Sequence, residues 1–209
     1  MICQNDTIRQ YLPFEPLSYK EAIIRAMNRE EQDRIHTRWS DAYPPAHELA
    51  LKLDELKGGP RYTNTYSLYT PKEASSLFRC ICMIGGKEGW FSNNWIWRLR
   101  GVVDKILMGV GAARGRKSRT QLRINDVIDY WRVEDLQKDA RLLLRAEMKL
   151  PGKAWLEFKI DDEGSDRRLA VIAYYQPQNF LGKIYWYAFL PSHQFLFNDL
   201  IKQIEKRAD

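Results

Sequence analysis

The sequence predicts an α+β fold in which a curved antiparallel sheet wraps around a long C-terminal helix. Residues 127–175 contain strand-like runs separated by short breaks such as Pro151-Gly152, and this spacing is typical of antiparallel hairpins. Residues 180–206 have the pattern of one long helix rich in aromatic side chains. An antiparallel sheet buries one face, and the last helix is the only predicted element large enough to cover it. We therefore expect a cavity between the sheet and this helix.

The sequence of residues 1–58 predicts two helices that do not belong to this α+β fold. Residues 18–34 begin with Ser18 and Glu21 at the spacing of a capping box. Residues 47–57 precede Gly58-Gly59-Pro60, which is a helix stop signal. Neither helix has enough apolar surface to be stable alone. The Gly-Gly-Pro motif gives the predicted boundary, with a helical extension or linker over residues 1–58 and the α+β domain over residues 59–209.

Periodicity and turn signals predict the remaining elements. Alternating Thr and Tyr indicate a strand, Pro71 precedes a helix, and Asn93 or Asn94 is placed to cap the next helix. Pro191 should kink or split the last helix, because proline lacks the backbone N–H and clashes one turn back. The predicted elements are strand 62–69, helix 73–83, helix 94–108, a Gly- and Arg-rich loop at 109–117, strands 127–133, 141–149, 153–160 and 168–175, and helix 180–206.

The composition excludes several classes of protein. Of the 209 residues 44% are hydrophobic and 12% aromatic, which is too apolar for a disordered chain. No apolar run approaches the roughly 20 residues of a membrane span, and the first 20 residues lack a signal-peptide pattern, so we expect a cytoplasmic protein. The three cysteines, Cys3, Cys80 and Cys82, are an odd set in a long chain. They predict buried free thiols, with no metal site and no cofactor.

The positive charge of the chain is concentrated in residues 98–123. This window holds eight basic residues and one acid, so it carries +7, while the net charge of the whole chain is +6. Such a stripe can meet phosphates or an acidic partner, although a solvated loop with the polar face of a helix is the simpler explanation. No nucleic-acid-binding motif accompanies it, and we expect no nucleic-acid partner.

One acid and two charge pairs are of interest in the predicted sheet. Alternation places Asp129 beside Trp131 on an apolar face, and a buried carboxylate must be paired, hydrogen-bonded or protonated. Asp129 is therefore either a structural hydrogen-bonding hub or a functional acid that anchors a ligand. The candidate partners of Asp129 are Arg98, Arg100 and His193. Four residues of the opposite, solvent-facing side are expected to pair across neighbouring strands: Arg132, Glu134, Arg145 and Glu147.

The cavity offers two weak candidates for catalysis and a larger set for ligand contact. His193 is the only histidine of residues 59–209 and is suited to acid–base chemistry at neutral pH, as is Asp129 if its pKa is raised. A lone histidine is more often structural, and most tryptophans belong to the core. The candidate pocket residues are Trp90, Trp97, Arg98, Asp129, Trp131, Met148, Phe158, Tyr175 and Trp186.

Several motifs, all in the same order, resemble the bacterial family known as domain of unknown function 2867. They are GWF at 89–91, WIWRLRG at 95–101 with Asp104, GVG at 109–111 with RGR at 114–116, DYWRV at 129–133, RAEMKLPGKAWLE at 145–157, and GKIYWY at 182–187 with Leu190-Pro191. The resemblance covers about residues 61–207. It implies membership of the helix-grip superfamily of START-like lipid-transfer and polyketide-cyclase domains, which agrees with the architecture predicted above.

The same resemblance implies an association with an NAD(P)-binding domain. The family commonly follows a domain of the atypical short-chain dehydrogenase type, and residues 14–43 resemble the tail of that domain and its linker. No Gly-rich turn follows an early strand, and no βαβ repeat is present, so the sequence predicts no dehydrogenase chemistry in this polypeptide.

Three classes of function follow from these observations. The first is a binding module that takes a small hydrophobic or aromatic molecule into the cavity. The second is a cyclase- or hydratase-like enzyme, which needs two polar groups that converge in the cavity. The third is a structural domain that docks on a dehydrogenase through the basic stripe or the N-terminal helices.

Overall fold

The structure of the protein is a computed structural model that describes residues 7–11, 17–31, 51–86, 89–106, 116 and 121–209. The chain divides into two compact units, Met1–Thr37 and Arg38–Asp209. The first unit contains a short 3-10 helix, Thr7–Gln10, and helix α1, Tyr19–Glu31. The predicted capping box is confirmed, because the Ser18 backbone N–H donates to Glu21 Oε2 at 2.9 Å and the Glu21 N–H to Ser18 Oγ at 3.3 Å.

The second unit is built on one antiparallel sheet with the order β1-β6-β5-β4-β3-β2. The first strand therefore pairs with the last, and strands β2 to β6 form a meander, as the short turns between them predict. The strands are β1 (Tyr62–Thr70), β2 (Val127–Ile128), β3 (Trp131–Gln137), β4 (Arg141–Ala146), β5 (Gly152–Glu163) and β6 (Asp166–Pro177).

Three helices accompany the sheet: α2 (Ala74–Ile81), α3 (Asn94–Ile106) and α4 (Phe180–Arg207). Helix α4 packs on β1, β6 and α2. It runs through Pro191 without interruption, so a split at that residue is wrong. Trp186 and His193 are both buried and fix the helix on either side of the proline, and this packing offsets the loss of one backbone hydrogen bond. The predicted long C-terminal helix against an antiparallel sheet is confirmed.

The inner face of the sheet, which faces α4, carries apolar side chains at alternate positions of its strands. Opposite pairs such as Leu144 with Leu156 and Phe158 with Val171 lie in register across β4, β5 and β6, and all four are fully buried. Ile204 at the end of α4 is also fully buried in this core. Burial of large side chains of this kind contributes about 1.5–3 kcal/mol each to folding.

The outer face of the same sheet differs from the prediction. Arg132 pairs with Glu147, and Arg145 lies 3.4 Å from a Glu134 carboxylate oxygen and 3.8 Å from one of Glu147, so the predicted cross-strand pairs are confirmed. Their side chains are at most 10% exposed, however, and the predicted solvent-facing environment is wrong. The Leu53 backbone N–H donates to Glu134 at 2.8 Å, so a segment far away in sequence contacts this face.

Two predicted elements are wrong. The described part of the predicted helix 47–57, residues 51–57, forms turns and bends, with no helix there. The predicted strand 127–133 is interrupted by a turn at Asp129 and Tyr130 that joins β2 to β3. Asp129 adopts a positive φ of 55°, a left-handed conformation that Asp tolerates better than most residues. The Gly- and Arg-rich loop, apart from Arg116, and the Cys3 thiol lie outside the described residues.

Candidate functional site

A cavity of about 520 Å³ lies between the inner face of the sheet and α4, with α3 on one side. This is within the range of ligand pockets, which is about 300–1,000 Å³. Most of its wall is apolar or aromatic. The apolar and aromatic part of the wall includes Ile96, Trp97, Leu99, Trp131, Met148, Leu156, Ala173, Tyr175, Tyr185, Trp186, Phe189, Leu196 and Phe197.

Stacked aromatic rings form two sides of this cavity. Trp186 of α4 lies between two tyrosines, with its ring centroid 5.4 Å from Tyr62 and 5.6 Å from Tyr175, and it is nearly parallel to both. On the other side Trp97 of α3 stacks on Trp90 with centroids 4.4 Å apart. Such contacts add about 0.5–1.5 kcal/mol each beyond the buried area, so both walls are fixed by packing.

His193 of α4 brings a polar group into the apolar wall. Its side chain is 7% exposed, lies edge-on to Trp186, and has no partner for Nδ1 among the described residues. Burial, together with the positive charge of Arg100, lowers the pKa of His193 from 6.5 to about 4. The imidazole is therefore neutral at pH 7 and offers one donor and one acceptor.

The Tyr175 hydroxyl is a second buried polar group of the wall. It has no hydrogen-bond partner among the described residues, and burial raises the pKa of Tyr175 to about 12, so the phenol stays protonated. This ring fits only because two neighbours are glycines. A Cβ on Gly152 would lie 2.6 Å from the hydroxyl oxygen, and one on Gly182 would lie 3.1 Å from it and 2.3 Å from the Pro151 carbonyl oxygen.

Arg100 of α3 adds a positive charge to the wall. Its Nε donates to Met148 Sδ at 3.2 Å, and its Nη2 donates to the Tyr185 hydroxyl at 2.5 Å. The guanidinium carbon lies 5.8 Å from the ring centroids of both Tyr185 and Phe189, within cation–π range. Asp104, one turn further along α3, also lines the cavity and accepts the Lys149 backbone N–H at 2.7 Å.

Six of the predicted site residues meet in the wall of this cavity. They are Trp97, Trp131, Met148, Tyr175, Trp186 and His193. They come from α3, β3, β6, α4 and the segment after β4, and the sheet and helices bring them together. Whether they contact a ligand stays a prediction.

The other predicted residues lie elsewhere. Trp90 stacks on Trp97 but is not part of the described wall. Phe158 is fully buried in the core, and Arg98 is exposed on α3. Asp129 does not share a strand face with Trp131, because it sits in the turn between β2 and β3. Its Oδ2 accepts the Trp90 indole N–H at 3.1 Å, so none of the three predicted partners makes this contact.

Arg100 and Tyr185 were not among the predicted site residues. The sequence predicts Arg100 only as a possible partner of Asp129, because the orientation of α3 depends on tertiary packing. Helical spacing offers a partial signal, since Arg100, Ile96 and Trp97 are three and four residues apart and share one face of α3. Tyr185 directly precedes Trp186 in the GKIYWY motif, so the same motif indicates it as a candidate pocket residue.

No metal site or reactive thiol is evident in the described part of the chain. There, no group of three His, Cys, Asp or Glu side chains is placed to hold a metal ion. Cys80 and Cys82 are free and buried, as predicted, and burial raises the pKa of both thiols to about 11. Both cysteines also lie outside the cavity wall. Among the described helices, none has the length and apolar composition that a membrane crossing requires.

The fold and cavity define a helix-grip α+β domain, in which a curved antiparallel sheet packs against a long C-terminal helix. The sequence matches the family described as "Protein of unknown function (DUF2867)" over residues 56–200. The chain belongs to this family, and the predicted family is confirmed. A search of curated proteins finds no match to the sequence.

Several solved structures are similar to this chain at low sequence identity. CalU16 from Micromonospora echinospora is 8% identical, with a TM-score of 0.34, and the match covers 70% of this chain and 83% of CalU16. Mll3558 from Rhizobium loti is 11% identical, with a TM-score of 0.39, covering 70% and 96%. MLL2253 from Mesorhizobium loti is 10% identical, with a TM-score of 0.40, covering 71% and 99%. Likeness at this level carries no information on function.

Proposed function

We propose that the Arg38–Asp209 unit binds a small hydrophobic or aromatic molecule in the cavity between the sheet and α4. The observation that carries this proposal is a cavity of about 520 Å³ whose wall is mostly apolar and aromatic. Protein interiors are normally close-packed, and an apolar void of this size loses packing contacts on every side. A ligand of matching shape restores those contacts and removes its own apolar surface from water.

The arrangement of polar groups supports a binding role. Pockets for small molecules combine apolar walls with a few polar groups that fix the orientation of the ligand. Here those groups are Arg100, Tyr175 and His193, and each lies beside a stacked or packed aromatic ring. The rings limit side-chain motion, so the polar groups are held in place before a ligand arrives.

A cyclase- or hydratase-like activity is the second candidate, and His193 favours it. A neutral imidazole in the cavity wall, whose Nδ1 has no partner among the described residues, is able to accept a proton at pH 7, although its low pKa makes it a weak base. Asp129, the other predicted catalytic candidate, is absent from the described wall of the cavity. If this second function is correct, substitution of His193 by Phe should abolish turnover, and an unchanged rate would contradict it.

The association with an NAD(P)-binding domain stays a prediction. It is supported by the resemblance of residues 14–43 to the tail of such a domain. The alternative of a structural docking domain rests on the basic stripe, of which residues 107–115 and 117–120 lie outside the described residues.

The binding proposal is tested with N-phenyl-1-naphthylamine, a neutral dye whose fluorescence rises in apolar surroundings. We expect saturable binding to the full chain. The variant Ala173→Phe adds a ring to the inner wall and should weaken binding about tenfold or more, a loss of about 1.4 kcal/mol. The matched control is Thr65→Phe, which adds a larger side chain at an exposed position on the outer side of β1 and should bind like the wild type.

A second wall variant keeps the test informative if Ala173→Phe fails to fold. Ala154→Phe places the added ring on β5, opposite Tyr175 and again in the cavity wall. Circular dichroism establishes that each variant is folded. Absence of dye binding to the wild type, or binding that both folded wall variants leave unchanged, would contradict the proposed function.

A further inference from the structure

Arg100 is a cation without an anionic partner among the described residues, in a wall that is otherwise mostly apolar. Its hydrogen-bond acceptors among the described residues are a thioether sulfur and a phenol oxygen, which are weak partners for a guanidinium with five N–H donors. Among the described residues, no carboxylate lies within ion-pair distance of it. The buried arginines of the outer face, Arg132 and Arg145, each contact at least one carboxylate.

Asp104, the acid closest to Arg100 along α3, does not form an ion pair with it. Asp104 follows Arg100 by one helical turn and lines the same cavity, but it accepts the Lys149 backbone N–H at 2.7 Å. The positive charge of Arg100 instead acts on neutral groups of the wall. It opposes protonation of His193 and favours ionisation of the Tyr175 and Tyr185 phenols.

A part-buried cation in such surroundings is best stabilised by an anion, and the cavity is where that anion can be supplied. We propose that the ligand is an apolar or aromatic carboxylic acid, that its carboxylate pairs with the Arg100 guanidinium, and that its apolar body lies along the tryptophan and tyrosine rings. This inference rests on the proposed binding function and specifies the class of ligand.

The two neutral polar groups of the wall, Tyr175 and His193, are also compatible with a carboxylic acid as the ligand. The Tyr175 phenol is a donor that has no partner in the described part of the chain, and its oxygen is buried between Gly152 and Gly182. The Nδ1 of His193 also lacks a partner among the described residues. Both are uncharged at pH 7, so they add hydrogen-bonding capacity without a second charge that would compete with Arg100.

The test compares two small molecules that differ in one group. The probes are 2-naphthylacetate and 2-(2-naphthyl)ethanol, a carboxylate and the alcohol of the same carbon skeleton. Each is titrated against the full chain loaded with N-phenyl-1-naphthylamine, and displacement of the dye gives its affinity. A hydrogen-bonded charge pair contributes about 1.5–3 kcal/mol, so the acid should bind about 10- to 100-fold more tightly than the alcohol.

Three variants locate the source of that preference. Arg100→Gln should remove the preference for the acid, so that the affinities for the acid and for the alcohol lie within about twofold of each other, because the charge pair is lost. Arg100→Lys keeps a positive charge and should retain part of the preference. Arg98→Gln is the matched control, because Arg98 lies on the same helix but is exposed and outside the described wall, and it should behave like the wild type.

The possible outcomes separate this inference from the function on which it rests. Equal affinity of the wild type for the acid and the alcohol, with the dye bound and displaced, overturns the carboxylate inference and leaves the binding function standing. A preference that survives in Arg100→Gln overturns it as well. A wild type that binds neither the dye nor the two naphthyl probes contradicts the proposed function, and the inference is then lost with it.

Discussion

On the outer face of the sheet, Arg132 and Arg145 are buried with Glu147, whereas on the inner face His193 and Tyr175 hold buried polar atoms that have no partner among the described residues. Both sets lie on or against the same six strands and are largely shielded from water. Burial of a polar group without a hydrogen bond costs about 1–3 kcal/mol. The outer face avoids that cost through mutual pairing, and the inner face does not.

This difference separates the face that mutual pairing stabilises from the face on which we propose that a ligand binds. A polar network whose members satisfy one another stabilises one structure and offers little to a ligand. Unpaired groups beside a cavity lower stability, and a ligand that pairs with them recovers the loss. The proposed site therefore lies on the face where the polar groups are incomplete, and the three predictions below test this contrast.

The largest effect is expected on the outer face. Replacement of Glu147 by Ala leaves Arg132 and Arg145 buried without that carboxylate, and loss of one partner of a buried ion pair costs about 3–5 kcal/mol. Urea denaturation measures the change in the free energy of unfolding. Glu163→Ala, at the exposed end of β5, is the control and should stay within about 0.5 kcal/mol of the wild type. A loss in Glu147→Ala no larger than in this control would show that the outer network does not stabilise the fold.

The next effect is a pH dependence from His193 on the inner face. Its folded-state pKa of about 4 is lower than the unfolded value of 6.5, so the unfolded chain binds more protons below pH 6.5 and stability falls as the pH drops from about 6.5 towards 4. Between pH 7 and pH 5 this group alone should remove about 2 kcal/mol. The variant His193→Phe keeps an aromatic ring and should lose that part of the pH dependence. Identical pH profiles of unfolding free energy for the two proteins would contradict the neutral, buried state of His193.

The smallest effect compares two adjacent tyrosines on opposite faces of β6. The Tyr174 hydroxyl donates to Glu157 Oε2 at 2.5 Å, and Tyr174→Phe should destabilise the fold by about 1.5 kcal/mol, because a hydrogen bond to a charged group is lost. The Tyr175 hydroxyl has no partner among the described residues, so Tyr175→Phe removes a buried unsatisfied group and should raise the free energy of unfolding by about 1 kcal/mol. Urea denaturation of both variants measures the difference. Equal losses of unfolding free energy in the two variants would mean that the two faces of β6 do not differ in the hydrogen bonding of their tyrosines.

Much of the fold was encoded in short stretches of sequence. Strand-like runs identified β4, β5 and β6, and the Pro151-Gly152 break placed a turn before β5. The capping box at Ser18 and the extent of α4 also followed from local patterns. These features were predictable because strand alternation, capping and helix periodicity involve residues only two to four positions apart.

The site was only partly predictable, because its composition depends on how α3 and α4 pack. Arg98 and Arg100 are two residues apart and so about 200° apart around the helix, and only the packing of α3 decides which faces the cavity. Large apolar side chains do not indicate the buried face of α3 either, because Trp95 and Leu99 on this helix are 65% and 53% exposed.

The sequence by itself determined helices α1 to α4, most of the strands and the partners of the outer ion pairs. The tertiary structure decided that those pairs are buried, that Asp129 lies in a turn, and that Arg100 and His193 line one cavity. The physical reason is the range of the interactions. Backbone geometry and side-chain period act between neighbours in sequence, whereas burial, pKa and the composition of a cavity wall depend on residues that only the folded chain brings together.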